Sequence, residues 1–413
     1  MASALFTHIQ LLAGTANPLQ PLRGKDLASL PAIENAWLLV EDDEIAGFGP
    51  MSQLPAHHSP LTTHDVTGQM VLPAWCDSHT HLVFAASREE EFADKIKGLS
   101  YAEIAAKGGG ILNSAQKLQA ATEDQLFNSA WKRMEEISRM GTGAVEIKSG
   151  YGLTVPDELK MLRVIKKIRE KSNLLVKSTF LGAHTYPAAF KEDHQGYINL
   201  IINEMLPVIA AEQLADYIDV FCETGFFSPG ETETICRAGM QYGLKPKIHA
   251  NQLSLSGGVQ AGVALGAVSV DHLETMDEAA IAALARSSTI GTLLPTAAFF
   301  LRMPFQPARQ LVDAGCAVAL ATDFNPGSSP SGNMHLAMAM SCIQMKLLPE
   351  EALNAATING AFAMEVQQQA GSIAPGKKAN LILTKPLPSL AAIPYYFGSN
   401  CIDRVMINGQ WTM

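Results

Sequence analysis

No Cys-x-x-Cys pair occurs among Cys76, Cys222, Cys236, Cys316, Cys342 and Cys401. In a chain of 413 residues, cysteines so scattered read as buried or free thiols of a reducing compartment. Nowhere do about 18 apolar residues run together, so no membrane-spanning helix is expected. The start, Met1 to His8, has no basic region, and no small-residue cleavage site follows an apolar stretch, so no secretory signal is expected. Positive charge is also scarce: 30 basic residues against 40 acidic ones leave a net −10. That argues against a nucleic-acid groove or an anionic membrane surface as partner. A small anionic substrate would need local positive charge at its site. Internal repeats and low-complexity tracts are missing too. The expectation is a soluble, cytoplasmic protein.

What is present is core-forming material. Hydrophobic residues make up 47% and charged residues 17%, the balance of a globular chain with a sizeable interior. Residues 1 to about 70 hold short strand candidates and turns. Ala36–Val40 and Ile45–Gly49 around Glu41–Glu44 read as a hairpin. His57, His58 and His64 fall in a Pro/Ser/Thr-rich stretch and read as solvated loop residues. From about residue 71, strand runs alternate with helical stretches such as Glu123–Met140, Pro156–Lys171 and Met276–Ala285. The strand candidates end near His81, Lys148, His184, Glu223, His249, His272, Pro295 and Asp323.

Eight β-then-α units predict an α/β fold, a (β/α)8 TIM barrel over residues 71–370, with its active site at the strand C-termini. A doubly wound sheet usually carries a Gly-rich phosphate loop after its first strand. Here His79-Thr80-His81 stands in that place. After about 370 the alternation stops. Gly371–Leu383 reads as turn then strand, and Cys401–Trp411 as a hairpin around Asn408-Gly409. Strands at both ends predict a small composite β-sandwich domain from residues 1–70 and 371–413. Lys107-Gly108-Gly109-Gly110 lacks phosphate-loop spacing and reads as an ordinary turn or as a loop folding over the site. Gly257-Gly258 reads as a helix entry.

On a strand, residues two apart face the same side, so His79 and His81 would present two imidazoles to one ion. Alone, such a pair is more often two polar loop histidines. His249, His272 and Asp323 each close another apolar run, at the barrel end where the fold needs its chemistry. His79, His81, His249 and Asp323 fit the few N/O ligands of a catalytic metal. Such an ion lowers the pKa of bound water from about 15.7 towards 7. A buried Asp323 would be costly without a cation beside it. His272 is a candidate acid–base group or carbonyl polariser. Glu223 reads as structural or as a lining group. Lys148 closes the second barrel strand.

Together with Pro375-Gly376-Lys377-Lys378-Ala379-Asn380-Leu381, these residues resemble the amidohydrolase superfamily over nearly the whole chain. Asn380 stands where many members carry Asp, outside the site. The resemblance implies hydrolysis of a C–N bond by metal-activated water. It is closest to the branch that opens the ring of 4-imidazolone-5-propanoate to N-formimidoyl-L-glutamate in histidine degradation. The stretches Glu146–Leu153, Phe180–His184, His249–Gln252 and Asp323–Ser328 carry it. It makes His79, His81, His249 and Asp323 the ligands of one zinc or iron, both of which accept His and carboxylate. It makes Arg88, Tyr151, His184, Gln252, Asn325, Gly327 and Ser328 substrate contacts, and it implies a homodimer. Binuclear members bridge two ions with a carboxylated lysine, usually from a later strand than the second, where Lys148 lies, so one ion per chain is preferred.

Each role has a physical basis. Arg88 suits bidentate recognition of a propanoate carboxylate, its alternative being a solvated helix charge beside Glu89, Glu90 and Glu91. Gly327 allows close approach of a ligand. Gln252 stands where some relatives carry Glu; an amide cannot take a proton, which shifts acid–base work to His272 and Asp323. The expected mechanism has Asp323 accepting the water proton and passing it to the leaving nitrogen, while His272 polarises the carbonyl. Another cyclic amidohydrolase or a deaminase would share the metal site but not the Arg88 anchor. A catalytically silent scaffold would not need intact ligand positions.

Overall fold

Apolar alternation at both ends of the chain builds one curled sheet. The computed structural model describes residues 3–56, 62–99 and 109–412. Strands β1 (Ala4–Ala13), β2 (Ala32–Glu41), β3 (Glu44–Pro50), β4 (Thr62–Asp65) and β5 (Met70–Pro73) open the chain. The barrel follows with β6 (Trp75–Thr80), β7 (Thr142–Lys148), β8 (Leu175–Ala183), β9 (Tyr217–Cys222), β10 (Lys245–Ala250), β11 (Ser269–His272), β12 (Ile290–Leu293) and β13 (Val318–Leu320). Strands β14 (Leu381–Thr384), β15 (Ile402–Ile407) and β16 (Gln410–Trp411) return to the first sheet. Its order is β16-β15-β14-β5-β1-β2-β3, with β4 also on β1. Trp411 packs edge-on against Phe6 at 5.9 Å although four strand steps separate them, so the sheet curls over its own core. Ile9, Leu38, Val71, Leu381 and Met406 fill that core. The expected sandwich is thus a single sheet folded on itself.

Two expectations shift here. Val71–Pro73 reads as the lead into the first barrel strand, yet β5 pairs Leu72 with Ile382 in the terminal sheet. The chain crosses to the barrel at Ala74, whose N–H donates to Asn380 C=O. His64 reads as a solvated loop residue, but it lies in β4 and stacks on Phe6 at 5.2 Å. His57, His58, Lys107 and Gly108 lie outside the described residues.

Eight parallel strands run β6 to β13 in sequence order. β7, β9 and β11 are buried along their whole length, as expected where helices cover the outer face. The helices start where their caps dictate. Thr122 and Gln125 form a capping box before Glu123–Arg139, and Ser228 with Glu231 does so before Pro229–Gln241. Leu126, Ala130, Met134 and Ile137 recur at helical spacing and are buried against the barrel. The first and last strands close just beyond their named ends. Asp323 N–H donates to His79 C=O at 3.0 Å, and His81 N–H to Phe324 C=O at 2.9 Å. Asp77 reinforces this seam by accepting from Thr322 N–H at 3.0 Å and from its hydroxyl at 2.6 Å. Among the described residues no helix is long and apolar enough to cross a membrane.

Candidate active site

Alternation along β6 turns Asp77 and His79 inward, with His81 on the same side just past the strand end. β10 brings His249 beside them, and the seam brings Asp323. Ring nitrogens of His79, His81 and His249 lie within 4.8 Å of one another. Asp323 Oδ1 is 3.6 Å from His79 Nε2 and 3.5 Å from His81 Nε2. All four side chains are buried. Burial is the main force holding the three imidazoles well below the ordinary histidine range, so they are neutral and carry lone pairs. Among the described residues, His79 Nε2 and His249 Nε2 have no hydrogen-bond partner. Each such orphan costs about 1–3 kcal/mol unless something is bound to it. Three neutral imidazoles and one carboxylate are a donor set for a divalent transition metal. The three imidazoles fit one ion, with the Asp323 carboxylate 3.5–3.6 Å from two of them.

His272 approaches the cluster from β11, its ring 5.5 Å from that of His79 and 5.2 Å from that of His249. Burial pushes its pKa down, but the carboxylates of Glu274, 3.4 Å from Nδ1, and of Asp323 and Asp271 together outweigh burial, and the net direction is up. An imidazolium there can donate. Asp323 is pushed up to about 6, chiefly by burial. That range suits a carboxylate that takes and returns a proton near neutrality. Both residues hold backbone in the left-handed region, His272 at φ 85° and Asp323 at φ 53°. For residues with a Cβ this strain is uncommon and gathers at functional sites.

A cavity of about 440 Å³ opens in front of the imidazoles. Arg88, Tyr151, His184, Gln252, Asn325, Gly327 and Ser328 all line it, together with His81, His249, His272 and Asp323. His184 Nδ1 is 3.0 Å from Gly150 C=O, to which it donates, leaving Nε2 as an acceptor. Its pKa is lowered to about 4 by burial, so it stays neutral. Burial also raises the Tyr151 phenol, which remains a donor. Asn325 lines the cavity, but its amide is spent within its own loop. Oδ1 accepts from Gly327 and Ser328 N–H at 2.8 Å each, and Nδ2 donates to Asp323 C=O at 2.6 Å.

Arg88 is neither solvated nor unpaired. Its Nε and Nη2 donate to Glu91 Oε2 at 2.9 and 2.6 Å, while Glu91 Oε1 accepts from Gly110 N–H and Asn113 Nδ2 at 3.0 Å each. A Cβ at Gly327 would stand 2.1 Å from Arg88 Nη1. Glycine at 327 is therefore what lets the guanidinium lie where it does. Gly327→Ala should raise KM about tenfold while Tm stays near wild type, because the displaced atom is the tip of a flexible side chain. A misplacement near 1 Å can cost that much or more. Unchanged steady-state kinetics would show that Arg88 has room to spare.

Sequence reasoning missed several residues here. Lys95 and the ring of Phe221 line the cavity. Lys95 was hidden in a helix of mixed charge, and Phe221 in a continuous apolar strand. Glu274 was legible only as the second residue after His272. Glu223 proves structural: it accepts from Leu253 N–H at 2.9 Å and from the Ser254 hydroxyl, fixing the loop after β10. Lys148 is wholly buried among Glu146, Asp219 and Asp271. Burial works against its charge, but the Asp219, Glu146 and Asp271 carboxylates override it and raise its pKa. An ammonium so held is not free to become a carboxylated metal bridge.

Residues 70–412 match the model of the amidohydrolase family. The chain is 55% identical over 407 residues to the imidazolonepropionase of Flavobacterium johnsoniae, covering 98% of this chain and 99% of that protein. It is 53% identical over 407 residues to that of Christiangramia forsetii, with the same coverage. Among solved structures it is similar to guanine deaminase of E. coli, with a TM-score of 0.74 at 14% identity over 100% of this chain and 99% of that one. A zinc-bound adenosine deaminase from Xanthomonas campestris gives 0.71 at 18% identity, over 99% and 92%. These two show the shared fold.

Proposed function

The chain belongs to the amidohydrolase family, among its imidazolonepropionases, and from that membership we infer how its own residues open a cyclic amide. It is a hydrolase of the C–N bond of 4-imidazolone-5-propanoate, yielding N-formimidoyl-L-glutamate. One observation carries the residue assignment: unpartnered imidazole nitrogens, a raised carboxylate and a fixed guanidinium face a single cavity of about 440 Å³.

His79, His81, His249 and Asp323 would hold one ion, zinc or iron. When bound, it supplies a Lewis acid that brings water towards ionisation near neutral pH. Arg88 binds the propanoate carboxylate, and Glu91 keeps its fork aimed. Tyr151 donates to, and His184 Nε2 accepts from, polar atoms of the substrate ring. Gln252 adds an amide that binds without titrating. Asp323 accepts a proton as the carbonyl is attacked and returns it to the leaving ring nitrogen. His272, held by Glu274, donates to the carbonyl oxygen as negative charge develops there. Tail binding by Arg88 thus orients the ring for reaction. We assign catalysis to the barrel unit, which begins after Ala74 and runs to about residue 370. Six free cysteines suit a reducing cytoplasm.

The test mixes zinc-loaded protein with 4-imidazolone-5-propanoate and follows loss of the imidazolone ultraviolet absorbance, corrected for spontaneous decay. Fast loss, abolished by chelator and restored by metal, with formimidoyl-glutamate as product, is the expected result. Metal-loaded protein that leaves the substrate at its spontaneous rate would overturn the substrate assignment.

A further inference from the structure

Beneath the imidazoles the barrel interior holds, besides Asp77 at the seam, five buried ionisable side chains: Glu146 and Lys148 on β7, Asp219 on β9, Lys247 on β10 and Asp271 on β11. Branched aliphatic residues ordinarily fill this position, and buried charges persist only when paired. Lys148 Nζ donates to Glu146 Oε1 at 2.6 Å and Asp219 Oδ2 at 2.8 Å, and lies 3.5 Å from Asp271 Oδ2. Lys247 pairs with the other oxygen of Glu146 and donates to Ser78 C=O at 3.2 Å. The Ser269 hydroxyl fixes Asp271 Oδ1 at 2.6 Å.

The same carboxylate oxygens that touch Lys148 also touch the imidazoles above. Asp271 Oδ2 is 2.6 Å from His79 Nδ1. Asp219 Oδ2 is 3.0 Å from His249 Nδ1, short of good hydrogen-bond alignment, while its Oδ1 accepts from His249 N–H at 3.1 Å. A carboxylate against Nδ1 favours the proton on that nitrogen and the lone pair on Nε2. Among the described residues Nε2 has no hydrogen-bond partner on either ring; at His249 Nδ1 has none either, so Asp219 acts on it through proximity alone.

We propose that Lys148 is a positioning residue: by bridging Asp219 and Asp271 it sets the orientation and tautomer of His249 and His79, and so the affinity of the metal site. This rests on the metal reading above. It also explains why so polar a layer underlies the site.

The test measures zinc affinity of the full chain by competition with a chromophoric chelator, and the visible absorption of the cobalt-loaded protein. Lys148→Met removes the bridge, but leaves the cluster with one more uncompensated negative charge. Lys148→Met combined with Glu146→Gln restores the charge balance and leaves both aspartates intact, so it carries the test if the single variant does not fold. Folded double variant should bind zinc about 10–100-fold more weakly and show shifted cobalt bands. A folded double variant with wild-type zinc affinity and cobalt spectrum would overturn the proposal, leaving Lys148 as charge balance alone. Wild-type protein that binds no zinc, or His249→Ala that binds it as tightly as wild type, would instead overturn the metal reading.

Discussion

His272→Ala keeps its metal and loses about a thousandfold in kcat, within the range for removing a positioned acid or an oxyanion donor. The side chain stands beside the ligand cluster, and Glu274 sits at its Nδ1. Gln306 Nε2 donates to the same Glu274 oxygen at 3.0 Å, so the pair is itself anchored. An imidazole that favours its protonated form in a buried cavity can donate to an oxygen as charge builds there. Alanine leaves nothing to do so. Because that interaction strengthens towards the transition state, kcat should fall more than KM rises. Steady-state kinetics together with zinc content per chain decide the matter. Near-normal turnover removes His272 from the mechanism, and a drop in bound zinc would make it a ligand.

For Arg88→Ala the expected loss is about a hundredfold in kcat/KM, most of it in KM, with metal content unchanged. Truncating one partner of a buried, hydrogen-bonded charge pair costs about 2–5 kcal/mol, which brackets that figure. The damage is twofold. The substrate carboxylate loses its cation, and Glu91, with 10% of its side chain exposed, loses the partner of Oε2. An unpaired carboxylate beside the cavity repels the tail that Arg88 would hold. Arg88→Lys should recover only part of the loss, since an ammonium cannot serve Glu91 and a substrate through one planar fork. Substrate saturation curves for both variants check this, and an unchanged kcat/KM for the alanine form would sink the anchoring role.

The barrel was legible because parallel strands buried on both faces read as apolar runs, and each run ends on a group that chemistry can use. His79, His81, His249, His272 and Asp323 were found that way. The observed strands stop within three residues of the expected ends, at Thr80, Leu293 and Leu320 for instance. The division at Ala74 was not legible, because one apolar run served two sheets and hydrophobicity carries no record of which partner a strand chooses. The charges below the site were hidden for a related reason. Glu146, Asp219, Lys247 and Asp271 sit among apolar strand residues, where a charge reads as a residue facing water. Only the closed barrel turns them all towards each other. The left-handed backbone at His272 and Asp323 left no sign in sequence either, since neither residue is glycine.

The seam between β6 and β13 has a consequence for how the chain acquires its activity. Thr322 and Asp77, which join across it, are 245 positions apart. Bringing such distant segments together costs more loop entropy than pairing any two consecutive barrel strands. Asp323 meets the histidines through that same contact. A nascent or clipped chain that has formed seven strands therefore possesses imidazoles but no completed centre. The last strand is thus what brings the carboxylate to the imidazoles, and closure of the barrel and completion of the site are the same contact.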